Sequence, residues 1–111
     1  MRPAIFQEAI HDISRQVCAH FKDDLKGIVL YGSYARGDFD IDSDLNVAVL
    51  LDCSKEELGS KVKRRSEIVS DIGLKYNIFI DLNFIPNDEY ERWLPVLPLY
   101  QNIEREGFRL G

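Results

Sequence analysis

Two apolar runs of strand length, Gly27-Ile28-Val29-Leu30-Tyr31 and Leu45 to Leu51, are separated by a short polar stretch, and the first leaves through Gly32-Ser33. Short apolar runs bounded by turn residues are the pattern of buried strands. The connection, residues 34–43, reads as a polar loop carrying Asp38, Asp40 and Asp42. The second strand is expected from about Asp44 to Leu51. Side chains alternate across a strand, so Asp44 and Asn46 share one face, while Leu45, Val47 and Val49 take the other.

A third run, Asn77 to Ile85, reads as a strand stopped by Pro86 and carries Asp81 between Ile80 and Leu82. An ionised carboxylate among buried apolar neighbours is costly without a partner, so Asp81 is expected to be buried unless a site opens there. With the second and third strands as neighbours, Asp44, Asn46 and Asp81 converge into an oxygen-rich cluster of the kind that binds Mg²⁺.

The remaining elements are helical. Ile5, Ala9, Ile13, Val17, Phe21 and Leu25 recur every fourth residue, with Phe6 and Ile10 broadening the stripe, which predicts a helix over residues 3–25. Pro3 suits its first turn. Ser54 and Glu57 have capping-box spacing, so a second helix starts there. It runs through Leu58, Val62, Val69 and Ile72, and Gly73 is placed to end it. Beyond Pro86, the segment with Trp93 and Tyr100, punctuated by Pro95 and Pro98, is expected to form short helices docked on the sheet. The order predicts an α/β fold: a mixed sheet flanked by helices that cover one side.

The bulk properties set bounds. A chain of 111 residues with 45% hydrophobic and 11% aromatic content supports one domain, residues 1–111, with one packed core. Fourteen Lys and Arg stand against 19 acidic residues, for a net charge of −5, which disfavours binding to duplex nucleic acid. A single nucleotide remains compatible, since a bound cation supplies local positive charge. No apolar run approaches the ~18 residues of a membrane span, and no signal peptide opens the chain, so a cytoplasmic protein is expected. Cys18 and Cys53 lack the spacing of a zinc site or disulfide framework. His11 and His20 have no ligand-spaced companion, and Cys53 has no base nearby in sequence. The basic residues Lys61, Lys63, Arg64 and Arg65 read as a solvated helix face.

The Gly32-Ser33 turn can bring backbone N–H groups and a hydroxyl against a triphosphate, because Gly32 lacks a Cβ. Arg36 is placed to neutralise phosphate charge or to hold the acidic loop. No Gly-Lys-Ser/Thr follows the turn, so this is not a P-loop. Two magnesium ions about 3.5–4 Å apart would activate the attacking hydroxyl and stabilise the leaving phosphate.

Gly32-Ser33, ten intervening residues and then Asp44-x-Asn46 resemble the signature of the polymerase-β-like nucleotidyltransferases. Gly32-Ser33-Tyr34-Ala35-Arg36-Gly37 is similar to the minimal nucleotidyltransferase (MNT) branch. The likeness extends to Asp81 and to the segment Leu97 to Gly107, which resembles the end of MNT antitoxins. It implies transfer of AMP or another NMP from ATP or another NTP to a hydroxyl, with pyrophosphate leaving. For MNT antitoxins the implied acceptor is a tyrosine of a cognate HEPN toxin, held in a hetero-oligomer. By the same resemblance Asp44 and position 46 hold both metals, while Asp81 holds the catalytic metal and helps deprotonate the acceptor.

Asn46 departs from that pattern. An amide offers one neutral oxygen where a carboxylate offers two charged ones, so it bridges two cations poorly. Weakened Mg²⁺ binding and strongly reduced catalysis are expected, whether the substitution is natural or a deliberate disabling. Two other readings stay open: a non-catalytic antitoxin acting by stoichiometric binding, and a small-molecule nucleotidyltransferase. The last usually carries an additional acceptor-binding domain, which this length does not supply.

Overall fold

A computed structural model describes residues 3–37, 44–63 and 65–110, with side chains from Ile5 onward and without that of Tyr34. Helix α1 spans Pro3–Phe21. Its stripe behaves as the four-residue spacing requires, with Phe6, Ala9, Ile13, Val17 and Phe21 all buried. It stops short of Leu25, because Lys22–Asp24 tighten into a 3₁₀ turn and Leu25 already opens strand β1, Leu25–Tyr31. The carbonyl of Asp24 accepts from the Asp52 N–H at 2.7 Å, tying this corner to the end of the next strand.

Strand β2 is Leu45–Leu51 and β3 is Ile80–Pro86. β1 and β2 pair antiparallel, whereas β2 and β3 pair parallel. A parallel pair needs a long crossover, and helices α3 (Lys55–Lys61) and α4 (Arg65–Tyr76) supply it. The sequence predicts one helix here, and the structure corrects this to two. The Ser54–Glu57 capping box starts α3 as expected, with both reciprocal hydrogen bonds formed. Val62 then leaves helical geometry, at φ −102° and ψ 20°.

Nor does Gly73 end the second helix. α4 continues to Tyr76, and Asn77 adopts a left-handed φ of 55° while the Ile78 N–H donates back to the Gly73 carbonyl at 3.1 Å. Asn tolerates that conformation, so it does the capping work a Gly usually does. Asn77 is therefore a helix terminator, and β3 begins only at Ile80. Pro86 is the last residue of β3 rather than its stop, which an outer strand permits.

Helices α5 (Asn87–Trp93) and α6 (Pro98–Glu106) follow, then a two-residue strand β4, Phe108–Arg109, that no local pattern announced. The sheet order is β3-β2-β1-β4, a mixed four-stranded sheet. β4 runs antiparallel to β1, with Val29 opposite Arg109 and Leu30 opposite Phe108. The close approach depends on Gly107, where a Cβ would fall 2.4 Å from both the Ile103 carbonyl and Val29 Cγ1.

Helices cover both faces of the sheet, not one as predicted. α1 and α4 close the first face over Ile28, Leu30, Leu45, Val47, Val49, Leu51, Leu82 and Phe84. On the second face α5 and α6 pack Tyr90 and Ile103 against Val29, Ala48, Leu50 and Ile85. Tyr90 also donates to a Glu104 carboxylate oxygen at 2.7 Å, joining α5 to α6. Tyr100 packs on the Tyr90 ring at 5.2 Å, while Trp93 stays 42% exposed.

Asp12 pins α1 to the end of α4. It is nearly buried and accepts hydrogen bonds from the Tyr76 hydroxyl, from Arg15 at 3.0 Å and from Lys75 at 3.1 Å. Those donors, Tyr76 foremost, hold its carboxyl well below the ordinary value of 3.8. Among the described residues no helix is long and apolar enough to cross a membrane.

Candidate active site

The singled-out residues meet on the second face, beyond the stretch that α5 and α6 pack against. Strand register puts Tyr31 opposite Asn46 on one side and Asp81 opposite Asn46 on the other. Tyr31, Asn46 and Asp81 thus form one row across three strands, on a single face. Asp81 is exposed at the second position of β3, so its carboxylate is not buried among the apolar residues on either side of it. Asp44 stands exposed at the mouth of β2, two residues ahead of Asn46.

The Gly-Ser turn comes to the same place. Gly32 has φ +84°, a left-handed conformation, and a Cβ built on it would lie 2.5 Å from the Asn46 amide nitrogen. The turn therefore lies against the second motif position, although twelve residues separate Ser33 and Asn46 in sequence. Ser33 opens a short helix, α2 (Ser33–Arg36), where the sequence predicts loop, and the Arg36 N–H donates to the Gly32 carbonyl at 3.0 Å. Asp38, Asp40, Asp42 and Ser43 lie outside the described residues.

The Arg36 guanidinium pairs with Glu106 at 3.3 Å, so it links the turn to α6. Two residues that sequence reasoning missed lie on the same face. Tyr31, 9% exposed, supplies the β1 end of the row, and Asn83 lies two residues beyond Asp81 on β3. Burial raises the Tyr31 pKa, with the neighbouring Asn83 amide opposing the effect and the Asp81 charge adding to it. Neither residue was visible as a site residue without knowing the register.

The donor set has the chemistry of a hard-cation site: two carboxylates, Asp44 and Asp81, and the amide oxygen of Asn46. The amide at position 46 offers one neutral oxygen where a carboxylate would offer two charged ones, which suits the bridging of two cations less well. Among the described residues no three of His, Cys, Asp and Glu form a metal-holding group. The other reactive side chains lie elsewhere. His20 packs edge-on against Phe21 at 4.7 Å, and both cysteines are free thiols. Burial pushes the Cys53 thiol up, away from the thiolate a nucleophile needs. Lys61 is not simply solvated, since it pairs with Asp24 at 2.7 Å.

Comparison with known proteins bears on the family and the fold. The sequence profile described as a nucleotidyltransferase domain matches residues 10–104. A protein of Methanocaldococcus jannaschii, provisionally named a protein adenylyltransferase, is 39% identical over 74 residues, covering 66% of this chain and 72% of that protein. A chain from a toxin–antitoxin crystal structure with AMP-PNP superposes with TM-score 0.59 at 22% identity, covering 94% of this chain and 71% of that chain. A structure provisionally called a minimal nucleotidyltransferase superposes with TM-score 0.55 at 19% identity, covering 93% and 91%. At these identities the solved structures establish a shared fold. From the profile match and the archaeal relative, the chain belongs to the nucleotidyltransferase domain family.

Proposed function

We propose that the chain is an MNT-type antitoxin built to transfer AMP from ATP to a tyrosine hydroxyl of a cognate HEPN toxin. One observation carries the site: the Tyr31–Asn46–Asp81 row lies directly against the Gly32-Ser33 turn, as a nucleotide and an acceptor would need. The adenylyl donor is supported by the name of the archaeal relative. The toxin acceptor rests on the MNT resemblance of Gly32 to Gly37 and of Leu97 to Gly107.

In this reading Gly32 lets the backbone approach the phosphates, and Ser33 offers its hydroxyl and N–H. Arg36 adds positive charge at the rim while Glu106 holds it. Asp44, Asn46 and Asp81 would hold Mg²⁺, which supplies neutralisation of the triphosphate and lowers the acceptor's pKa. Asp81 takes up the acceptor proton. The acceptor oxygen bonds to the α-phosphorus, the α–β phosphoanhydride bond breaks, and pyrophosphate leaves. Asn46 limits this chemistry, because its single neutral oxygen leaves a second cation without a bridge.

The same residue favours a second reading, in which the chain neutralises its partner by tight binding alone. The test is to incubate the chain, and separately Asn46→Asp, with α-labelled ATP, Mg²⁺ and a HEPN toxin encoded beside it. Label on a toxin tyrosine with the Asp variant supports a transferase weakened at position 46. A tight complex with no label from either protein leaves binding alone.

A further inference from the structure

Arg36 and Glu106 stand 70 residues apart in sequence, yet Arg36 Nη1 donates to Glu106 Oε2 at 3.3 Å. The two ends of this pair are held very differently. Glu106 is the last residue of α6, and its surroundings are fixed from several sides. Tyr90 donates to Glu104 at 2.7 Å, the Gly107 N–H to the Ile103 carbonyl at 3.0 Å, and the Leu110 N–H to the Ile28 carbonyl at 2.7 Å. β4 pairs with Val29 and Leu30, so α6 ends beside the stretch of β1 that runs into Gly32.

Arg36 stands on a slighter element. It closes α2, a single turn of four residues entered through Gly32 at φ +84° and left through Gly37 at φ +85°. One helical turn does not support itself, because nucleation fixes several residues for one hydrogen bond. Here that bond runs from the Arg36 N–H to the Gly32 carbonyl. The Glu106 side chain is also the more shielded of the pair, 28% exposed against 44% for Arg36. The fixed carboxylate is the anchor, and the guanidinium is the group it holds.

An anionic anchor beside a phosphate site has two opposed effects. Its charge repels a triphosphate, while its grip sets the direction of the planar guanidinium fork that must match phosphate oxygens. Between partly exposed groups the repulsion is screened, so the grip prevails. We propose that Glu106 is a positioning residue for Arg36: it holds the guanidinium and the Ser33–Arg36 turn against β1, so the docking of α6 and β4 sets the geometry of the triphosphate site. The benefit to a nucleotide rests on the reading of that turn as a nucleotide site.

Two measurements on the full chain test this. In the ligand-free protein, Glu106→Ala shifts the NMR signals of the Ser33 and Arg36 amides and lowers hydrogen-exchange protection of the Arg36 amide about fivefold. The Leu110 amide, bonded to Ile28, keeps its protection. In the second, a non-hydrolysable ATP analogue with Mg²⁺ is titrated by calorimetry. Glu106→Ala weakens the analogue about fivefold, the upper range for a partly exposed ion pair. Glu106→Gln, which removes the same charge but keeps an acceptor oxygen, loses less. Charge repulsion alone would give the opposite sign, with both variants binding more tightly. In an Arg36→Ala background Glu106→Ala adds no further loss, because it acts through Arg36. Unmoved Ser33 and Arg36 signals overturn the proposal, as do unchanged or tighter binding by Glu106→Ala, a Gln variant no better than Ala, or an equal loss with and without Arg36. If the signals move but the wild type binds no analogue, the hold on Arg36 stands and the nucleotidyltransferase reading fails.

Discussion

The two faces of the sheet are made by the same strands and differ only by a shift of one residue. On the closed face Leu45, Val47, Val49 and Leu82 are 1% exposed or less, and two helices seal them. On the other face the alternate positions, Asn46, Ala48 and Leu50, change from polar to apolar along one strand, and helices cover only the apolar end. A closed face confers stability and tolerates no polar group. A half-covered face divides its length between packing and chemistry. Asp44, Asn46 and Asp81 sit at the end where covering stops, which is how carboxylates come to stand on otherwise apolar strands without the cost of burial.

The contrast is testable from its strongest consequence down. Leu82→Ala on the closed face should cost about 2–5 kcal/mol in chemical denaturation; a loss under 1 kcal/mol would mean the face is not the closed core described. Gly32→Ala on the open face should cost about 1–2 kcal/mol, from the left-handed φ. The new methyl also meets the Asn46 amide, so nucleotide affinity should fall more than stability does, which calorimetry of both would register.

Asn46→Asp should be smaller and conditional. It places a carboxylate directly opposite Asp81, and like charges so placed destabilise by about 0.2–1 kcal/mol. Thermal melts in EDTA should show the loss, and Mg²⁺ should reverse it; a loss that Mg²⁺ leaves untouched would separate this row from cation binding. The narrowest effect belongs to Asp12, on the closed side. Its depressed pKa contributes stability that is fully present above the ordinary value of 3.8 and is lost as pH falls below it, toward the folded-state value. The stability gap between wild type and Asp12→Asn should therefore shrink in acid, and a constant gap across pH 2–7 would contradict the clamp.

Much of this arrangement was legible before any coordinates. The four-residue stripe of α1, the alternation in β2 and the Ser54–Glu57 box each carry a local period or spacing, and each formed as expected. The motif residues Gly32, Asn46 and Asp81 were legible too, since their types are unusual for where they sit. What failed was decided by longer-range contacts. The apolar stripe through Leu58, Val62 and Val69 runs unbroken across the turn between α3 and α4, so no local signal marks the break. Asn77 and Gly73 both suit a helix end, and only the Ile78 hydrogen bond decides between them. β4 exists because Gly107 lets the chain lie against Val29, and two residues carry no period. Tyr31 and Asn83 read as ordinary strand residues until register places one opposite Asn46 and the other two residues beyond Asp81 on the same face.

The pairing of β4 with β1 also bears on how the chain is made. Val29 and Arg109 lie 80 positions apart, so this ladder closes late, only after the segment through Arg109 has been synthesised. Until then the outer edge of β1 presents unpaired backbone beside Ile28, Val29 and Leu30, a template for pairing with another chain. A nascent chain stalled before Gly107 would expose that edge, so aggregation should track loss of residues 107–109 rather than damage to the site.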